Sequence, residues 1–317
     1  MKTIIQFSGM GFEVGQTKSG LSESGNIARR YFDYLAGLGI EILDQGDILV
    51  PNQNEKIKVF SDTDLAKVEW DKYKEAYSKI REMMNSAYPV LNWGGDHSIA
   101  LATCGAFVDK NPEGHVIWID AHADLNLPEY SQSGNLHGMP LAVLLNLNGI
   151  RTKHFKWLAN SLDPKKLIYI GLRDVDPFEK SVIESLEIKS FYYSDVQKLG
   201  MNIIARRVLE LTRGNPIHVS FDIDSVDPKF APSTGVPVRS GLTPNDLDIL
   251  GEEFLKKSDV RSLDIVEVNP ELGNQSQVDR TYQIAFSFLR SVFKNNYRGD
   301  NHDGISERSK REQFTQV

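Results

Sequence analysis

The sequence predicts an α/β protein folded as a single domain, with a central, mostly parallel β-sheet flanked by helices on both faces. Three observations predict it. Short apolar, β-rich runs alternate along the chain with stretches of helical spacing, as strand–helix–strand units of a parallel sheet require. Acidic clusters fall where the apolar runs end, and open parallel sheets bind ligands at the carboxyl ends of their strands. No Pro/Ser/Gly linker, internal repeat or low-complexity block divides the 317 residues.

TIIQFSGMG (3–11) reads as the first strand, followed by helical spacing in SGNIARRYFDYLAGLG (24–39) and DLAKVEWDKYKEAYSKIREMMNSA (64–87). YPVLNWGGDHS (88–98), HVIWIDAHAD (115–124) and KLIYIGLRDVD (166–176) read as strands running into polar turns. MNIIARRVLELTRG (201–214) is helical again, and PIHVSFDIDSVDP (216–228) and VRSLDIVEVNP (260–270) complete the strands. One folded unit is expected over residues 1–295. Residues 296–317 are polar, carry both signs of charge and lack apolar periodicity, so a tail is expected there, disordered or packed on a neighbouring subunit.

The formal net charge of −7, with acids and bases mixed, gives no electrostatic reason to expect nucleic acid or an anionic membrane as partner. The single cysteine, Cys104, excludes an internal disulfide and a thiolate metal cluster and suits a reducing compartment. The N-terminus lacks a signal-peptide core, and the run MPLAVLLNL is far shorter than the roughly 20 residues that span a bilayer. A soluble, cytoplasmic protein is expected.

The chemistry is concentrated in three segments. In WIDAHADLN (118–126), Asp120, His122 and Asp124 occupy alternate positions directly after an apolar run, and a strand would project them from one face. Such crowding is costly unless a cation lies among the groups. Asp222 and Asp224 repeat the spacing in SFDID, and GGDHS supplies His97. The four carboxylates carry the charge that two divalent cations neutralise, about 3.5–4 Å apart if bridged. Oxygen-rich ligation with imidazole and no sulfur points to manganese, with cobalt, nickel or iron as substitutes. Structural zinc would call for cysteine. Asp96 is expected as a hydrogen-bonding neighbour of His97, and Asp227, before Pro228, as a turn former.

GGDHS, DAHAD, SGNLHG (133–138), GLRDVD (171–176), SFDIDSVDPKFAPSTGVP (220–237) and DIVEVNP (264–270) together resemble the arginase branch of the ureohydrolases. The resemblance covers about residues 88–273; the first ninety residues match less clearly. It implies an arginase/deacetylase-like fold, a ureohydrolase-type catalytic domain and a site for two Mn2+. The implied reaction is hydrolysis of L-arginine to L-ornithine and urea by a hydroxide bridging the two ions. By motif, it makes His97, Asp120, His122, Asp124, Asp222 and Asp224 the metal ligands. It gives His137 a catalytic role, as proton shuttle or general acid, with Asp124 relaying a proton and Glu267 meeting the guanidinium. Asn126, Ser133 and Asn135 would hold the substrate carboxylate, and Asp176 and Glu179 its α-ammonium. A homo-oligomer, trimer or hexamer, is also implied.

The SxN pattern before LHG favours arginine over agmatine, which has no carboxylate to bind. Agmatine or another guanidino compound remains the alternative substrate. Val236 stands where arginases commonly carry threonine, which removes a hydroxyl hydrogen bond worth about 0.5–1.5 kcal/mol. A metal-free, non-enzymatic homologue would have lost ligands, and all six are present. GMGFEVG (9–15) does not fit the dinucleotide fingerprint. A binuclear phosphoesterase would want basic groups where this chain has Asp176, Glu179 and Glu267. Of the other histidines, His115 and His218 are expected in packing and His154 and His302 at the surface, with Cys104 a small buried hydrophobe.

Overall fold

In the computed structural model, residues 2–48 and 56–293 are described. The strands are Thr3–Met10 (β1), Ile40–Asp47 (β2), Val90–Gly94 (β3), His115–Ile119 (β4), Leu167–Ile170 (β5), Lys189–Phe191 (β6), Pro216–Asp222 (β7) and Asp259–Val266 (β8). They form one eight-stranded sheet in the order β2-β1-β3-β8-β7-β4-β5-β6, and every neighbouring pair is parallel. The sheet expected as mostly parallel is therefore wholly parallel.

All six strands read from the sequence are present, and both strands it did not reveal are the sheet's edges. Interior strands are buried on both faces, which is why VLNWG (β3) and HVIWI (β4) carry apolar runs. β2 pairs on one side only and exposes Asp44, Gln45 and Asp47. β6 is three residues long. Short, polar edges resist pairing with other chains, and the same property hides them from an apolar-run criterion.

Helices cover both faces. On one face Met201–Thr212, Pro244–Glu253 and Gln275–Phe293 pack with Ile117 and Ile119 of β4. On the other, Trp70–Met83, Ala100–Lys110 and Pro140–Leu144 pack with Val116 and Trp118 of the same strand. The alternation along β4 is the period of two that a strand imposes. Each such large side chain taken fully out of water contributes about 1.5–3 kcal/mol.

Two expected helices are interrupted. The 24–39 stretch comprises Ser24–Ala28 and Phe32–Gly37, joined by a 3-10 turn at Arg29–Tyr31. Apolar spacing marks the buried face but does not register a local tightening from i+4 to i+3 bonding. The 64–87 stretch is two helices, Asp62–Leu65 and Trp70–Met83. There the Trp70 indole donates to the Leu65 carbonyl at 2.8 Å, and Ser61 caps the first helix by accepting the Asp64 N–H.

His115, His218 and Cys104 are buried as expected. His154 is not a free surface residue: it is partly buried, with its Nε2 3.0 Å from Asp62. His302 and the stretch 296–317 lie outside the described residues.

Candidate metal centre and substrate cavity

The strand order sets β3, β8, β7, β4 and β5 side by side, so their carboxyl ends form one rim. β3 leads into Asp96 and His97, β8 into Glu267, and β7 into Asp222 and Asp224. β4 leads into Asp120, His122 and Asp124, and β5 into Asp174, Asp176 and Glu179.

Strand alternation is not what gathers the acids. β4 stops at Ile119, and residues 120–124 form a loop in which Asp124 has φ +50°. Asp224 likewise lies beyond β7, in the 3-10 turn Ile223–Ser225, where the Asp222 carboxylate accepts its N–H at 2.8 Å. Alternate residues of a strand stand about 6.6 Å apart, too far to crowd round one point. Curling the chain just past the strand brings them closer.

The result is a tight cage. His97 Nδ1 lies 3.0 Å from Asp120, 2.9 Å from Asp124 and 3.3 Å from Asp222. His122 Nδ1 lies 3.2 Å from Asp224 and 3.5 Å from Asp120. Potential ligand atoms of His97, Asp120 and Asp222 fall within 4.8 Å of one another, as do those of Asp120, His122 and Asp224. Asp120 is common to both trios, and Asp124 joins through His97. Trp118 holds the shared acid from behind, donating its indole N–H to Asp120 at 3.0 Å. His97 is set by Ser220, 2.8 Å from its Nε2, and by stacking on Trp118.

This donor set fits two divalent cations. His97 Nδ1 is buried among three carboxylates and makes no hydrogen bond, and Asp224 Oδ1 is likewise buried without a partner. Among the described residues no Lys or Arg side chain pairs with any of the six groups. Burial raises the carboxyl of Asp224 to about 6 and that of Asp222 well above the usual range, with neighbouring carboxylates adding to the shift. For Asp120 burial acts in the same direction, but His122 and His97 outweigh it and hold the group low. Carboxylates forced toward protonation are starved of positive charge.

His137 and Glu267 adjoin the cage. His137 Nδ1 is 2.9 Å from Glu267 Oε1, which also accepts the backbone N–H of His97 at 3.1 Å. Burial disfavours the imidazolium, but Glu267, then Asp124 and Asp96, lift the His137 pKa to about 9. Glu267 has φ +62°, a backbone strain of the kind that collects at functional sites. Asp96 does not bond the His97 ring: its carboxylate accepts the N–H groups of Gly15 at 2.7 Å and Ser98 at 3.0 Å. That explains GMGFEVG as a structural loop, because a Cβ on Gly15 would lie 2.8 Å from Asp96. Asp227 is the expected turn former, accepting from Lys229, Ser240 and Gly241.

A cavity of about 250 Å³ opens over the cage, with His122, Asp124, Asp222 and Asp224 in its wall. Asn126, Ser133, Asn135, His137, Asp174, Asp176 and Glu179 also line it. Glu267 is buried behind His137 and is not part of the wall. Asn126 Nδ2 donates to Asp176 at 2.9 Å. Glu179 has both oxygens engaged, by the N–H groups of Leu125 and Asp176 at 2.9 Å each. It braces the helix start at Pro177 against the 120–126 loop, whereas Asp176, whose oxygens accept from Asn126 and Gln132, is the less buried of the two acids.

Sequence reasoning passed over two side chains. Gln16 donates to Glu267, a contact between residues 251 apart that no motif spacing could reveal. Arg173 grips five carbonyls, among them Asp224 at 2.7 Å and Val238 at 2.8 Å, so it pins the loop that carries Asp224. An arginine inside the quoted motif GLRDVD was its only signal.

The Arginase family profile matches residues 5–294. Arginase-1 of Homo sapiens is 34% identical over 301 residues, covering 91% of this chain and 92% of that protein. The arginase of Coccidioides posadasii is 38% identical over 299 residues, covering 89% and 91%. Among solved structures, the arginase of Bacillus caldovelox superposes with a TM-score of 0.82 at 28% identity, covering 94% of this chain and 100% of that one. The arginase of Bacillus cereus gives 0.81 at 29% identity, with the same coverage. Since the match runs through all five strand ends that build the rim, the chain belongs to the arginase family.

Proposed function

We propose that this protein hydrolyses L-arginine to L-ornithine and urea at two Mn2+ ions held by His97, Asp120, His122, Asp124, Asp222 and Asp224. The observation that carries the reading is one cavity whose wall holds members of both ligand trios, Asp222 of one and His122 and Asp224 of the other, together with Ser133, Asn135 and Asp176. Bound there, a pair of divalent cations supplies a hydroxide near neutral pH and offsets the carboxylate charge.

The chain's own groups do the rest. Asn126, Ser133 and Asn135 donate hydrogen bonds to the substrate carboxylate, and Asp176 accepts from the α-ammonium with Glu179 behind it. Glu267 is the acceptor for the guanidinium, a charge-assisted contact that requires His137 to share Oε1. Asp124 takes up at its carboxylate the proton lost from the hydroxyl of the tetrahedral adduct as the urea carbonyl forms. His137, tethered through Nδ1, keeps Nε2 for donating a proton to the departing amine, which favours general acid over passive shuttle.

A homo-oligomer of this chain, a trimer or hexamer located in the cytoplasm, completes the proposal, with the catalytic domain spanning 1–295. Buried Cys104 suits a reducing compartment. Among the described residues no helix is long and apolar enough to cross a membrane.

The test is urea release by protein preincubated with manganese and offered L-arginine or agmatine, beside a His122→Ala control. Urea from arginine alone, lost in the control, is expected. Urea mainly from agmatine overturns the substrate assignment, and equal activity in the control overturns the metal assignment. Cobalt, nickel or iron in place of manganese, and light scattering for mass, test the remaining parts.

A further inference from the structure

One cation is fastened to the SGN loop, and among the described residues it has no acid to pair with. Lys58 lies in a segment that runs along residues 133–135, where Lys58 and Asn135 form an isolated antiparallel bridge. Val59 donates its N–H to the Gly134 carbonyl at 2.7 Å. Gly134 has φ +66°, and a Cβ there would meet the Phe60 ring at 2.5 Å, so the two segments need glycine to fit together. Lys58 Nζ donates to the Ser133 carbonyl at 2.9 Å and to Asn135 Oδ1 at 2.5 Å. Among the described residues it forms no ion pair with a carboxylate.

An ammonium has only donors, so it fixes which way the Asn135 amide faces. Oδ1 turns to Lys58, and the donor Nδ2 is left for the cavity that Asn135 lines. Much of the remaining wall is acidic, including Asp124, Asp174, Asp176 and Asp222. A carboxylate entering such a wall is repelled unless donors and positive charge meet it.

We infer that Lys58 is a specificity-determining residue, which orients the Asn135 amide and lends its charge to the SGN loop, so that the cavity selects guanidino substrates bearing an α-carboxylate. The inference rests on the reading of this cavity as an L-arginine site. Lys58 acts through Asn135 and is a positioning residue, not a catalytic one.

The experiment compares wild type, Lys58→Met and Lys58→Arg, each loaded with manganese. Urea release from L-arginine is measured with calorimetric affinities for L-ornithine and for putrescine, which lacks the carboxylate. Lys58→Met should raise both the KM for L-arginine and the Kd for L-ornithine about tenfold, the loss expected for a hydrogen bond made by a charged group. kcat should stay within about twofold and putrescine binding should not change. Lys58→Arg, which can still donate to both oxygens, should recover most of the loss. Unchanged L-ornithine affinity in Lys58→Met, or equal losses for L-ornithine and putrescine, overturns the inference and leaves the substrate reading standing. A wild type that neither releases urea from L-arginine nor binds L-ornithine overturns that reading and the inference with it.

Discussion

Gln16 donates an amide hydrogen to Glu267 Oε2 at 2.5 Å, both side chains buried. With His137 and the His97 N–H on Oε1, this bond completes the hold on the one acid proposed to meet the guanidinium. Gln16→Ala leaves Oε2 without its donor and opens space beside Gly235, where a Cβ would lie 2.7 Å from Gln16. A hydrogen bond to a charged group contributes about 1.5–3 kcal/mol, so kcat/KM for L-arginine should fall roughly ten- to a hundredfold. Steady-state kinetics beside a melting curve check this. A change within twofold would mean that Glu267 does not depend on the brace.

His122 belongs to only one of the two ligand trios, whereas Asp120 belongs to both. His122→Ala should therefore reduce bound metal from about two ions per chain to about one, and Asp120→Ala should remove both. Elemental analysis of dialysed protein reads the stoichiometry directly. Equal loss in the two variants would contradict the sharing of Asp120.

The cage should also make metal stabilisation depend on pH. The Asp224 carboxyl is lifted, chiefly by burial, from its ordinary 3.8 to about 6. A raised acid favours folding while it stays protonated, so its contribution is complete below about 3.8 and is lost as pH rises through about 6. Asp222 is raised too, by burial and then by Asp224 and Asp120, and loses its contribution in the same direction. The imidazoles act alike. Burial opposes the imidazolium of His97 and of His122, but the surrounding carboxylates raise both pKa values, and that stability also goes as pH rises. Asp120, held low by His122 and His97 against burial, works the other way. Divalent ions bind the deprotonated cage. The rise in Tm on adding manganese should thus be small near pH 4 and grow through about pH 6. Differential scanning of loaded and chelated protein measures it, and a flat increment would show that protons and metal do not compete.

What the sequence made legible was chemistry that lies within a few residues of a strand end. His97, Asp120, His122, Asp124, Asp222 and Asp224 each sit just past, or at the end of, a buried strand, and such strands announce themselves as apolar runs. The same rule missed β2, whose Asp44 and Asp47 answer to Arg29 at an exposed edge. It also mistook how DAHAD works, because a strand's alternation and a loop's curl are written with the same spacing. Gln16 and Lys58 were out of reach for another reason. Their partners, Glu267 and Asn135, are 251 and 77 residues away, and only the folded sheet sets them together.

Val236 lines the cavity and is 39% exposed, at the position where the resemblance leads one to expect threonine. Valine and threonine have nearly the same shape, so Val236→Thr exchanges a methyl for a hydroxyl without crowding the wall. Because the side chain is already partly in water, folding stability should hardly change. The added hydroxyl can bond to a bound substrate or to its solvent, a gain of about 0.5–1.5 kcal/mol. The KM for L-arginine should fall roughly two- to tenfold with Tm unchanged. A higher KM in Val236→Thr would instead mark the valine as fitted to a more apolar guanidino substrate, and screening such compounds against wild type would then identify it.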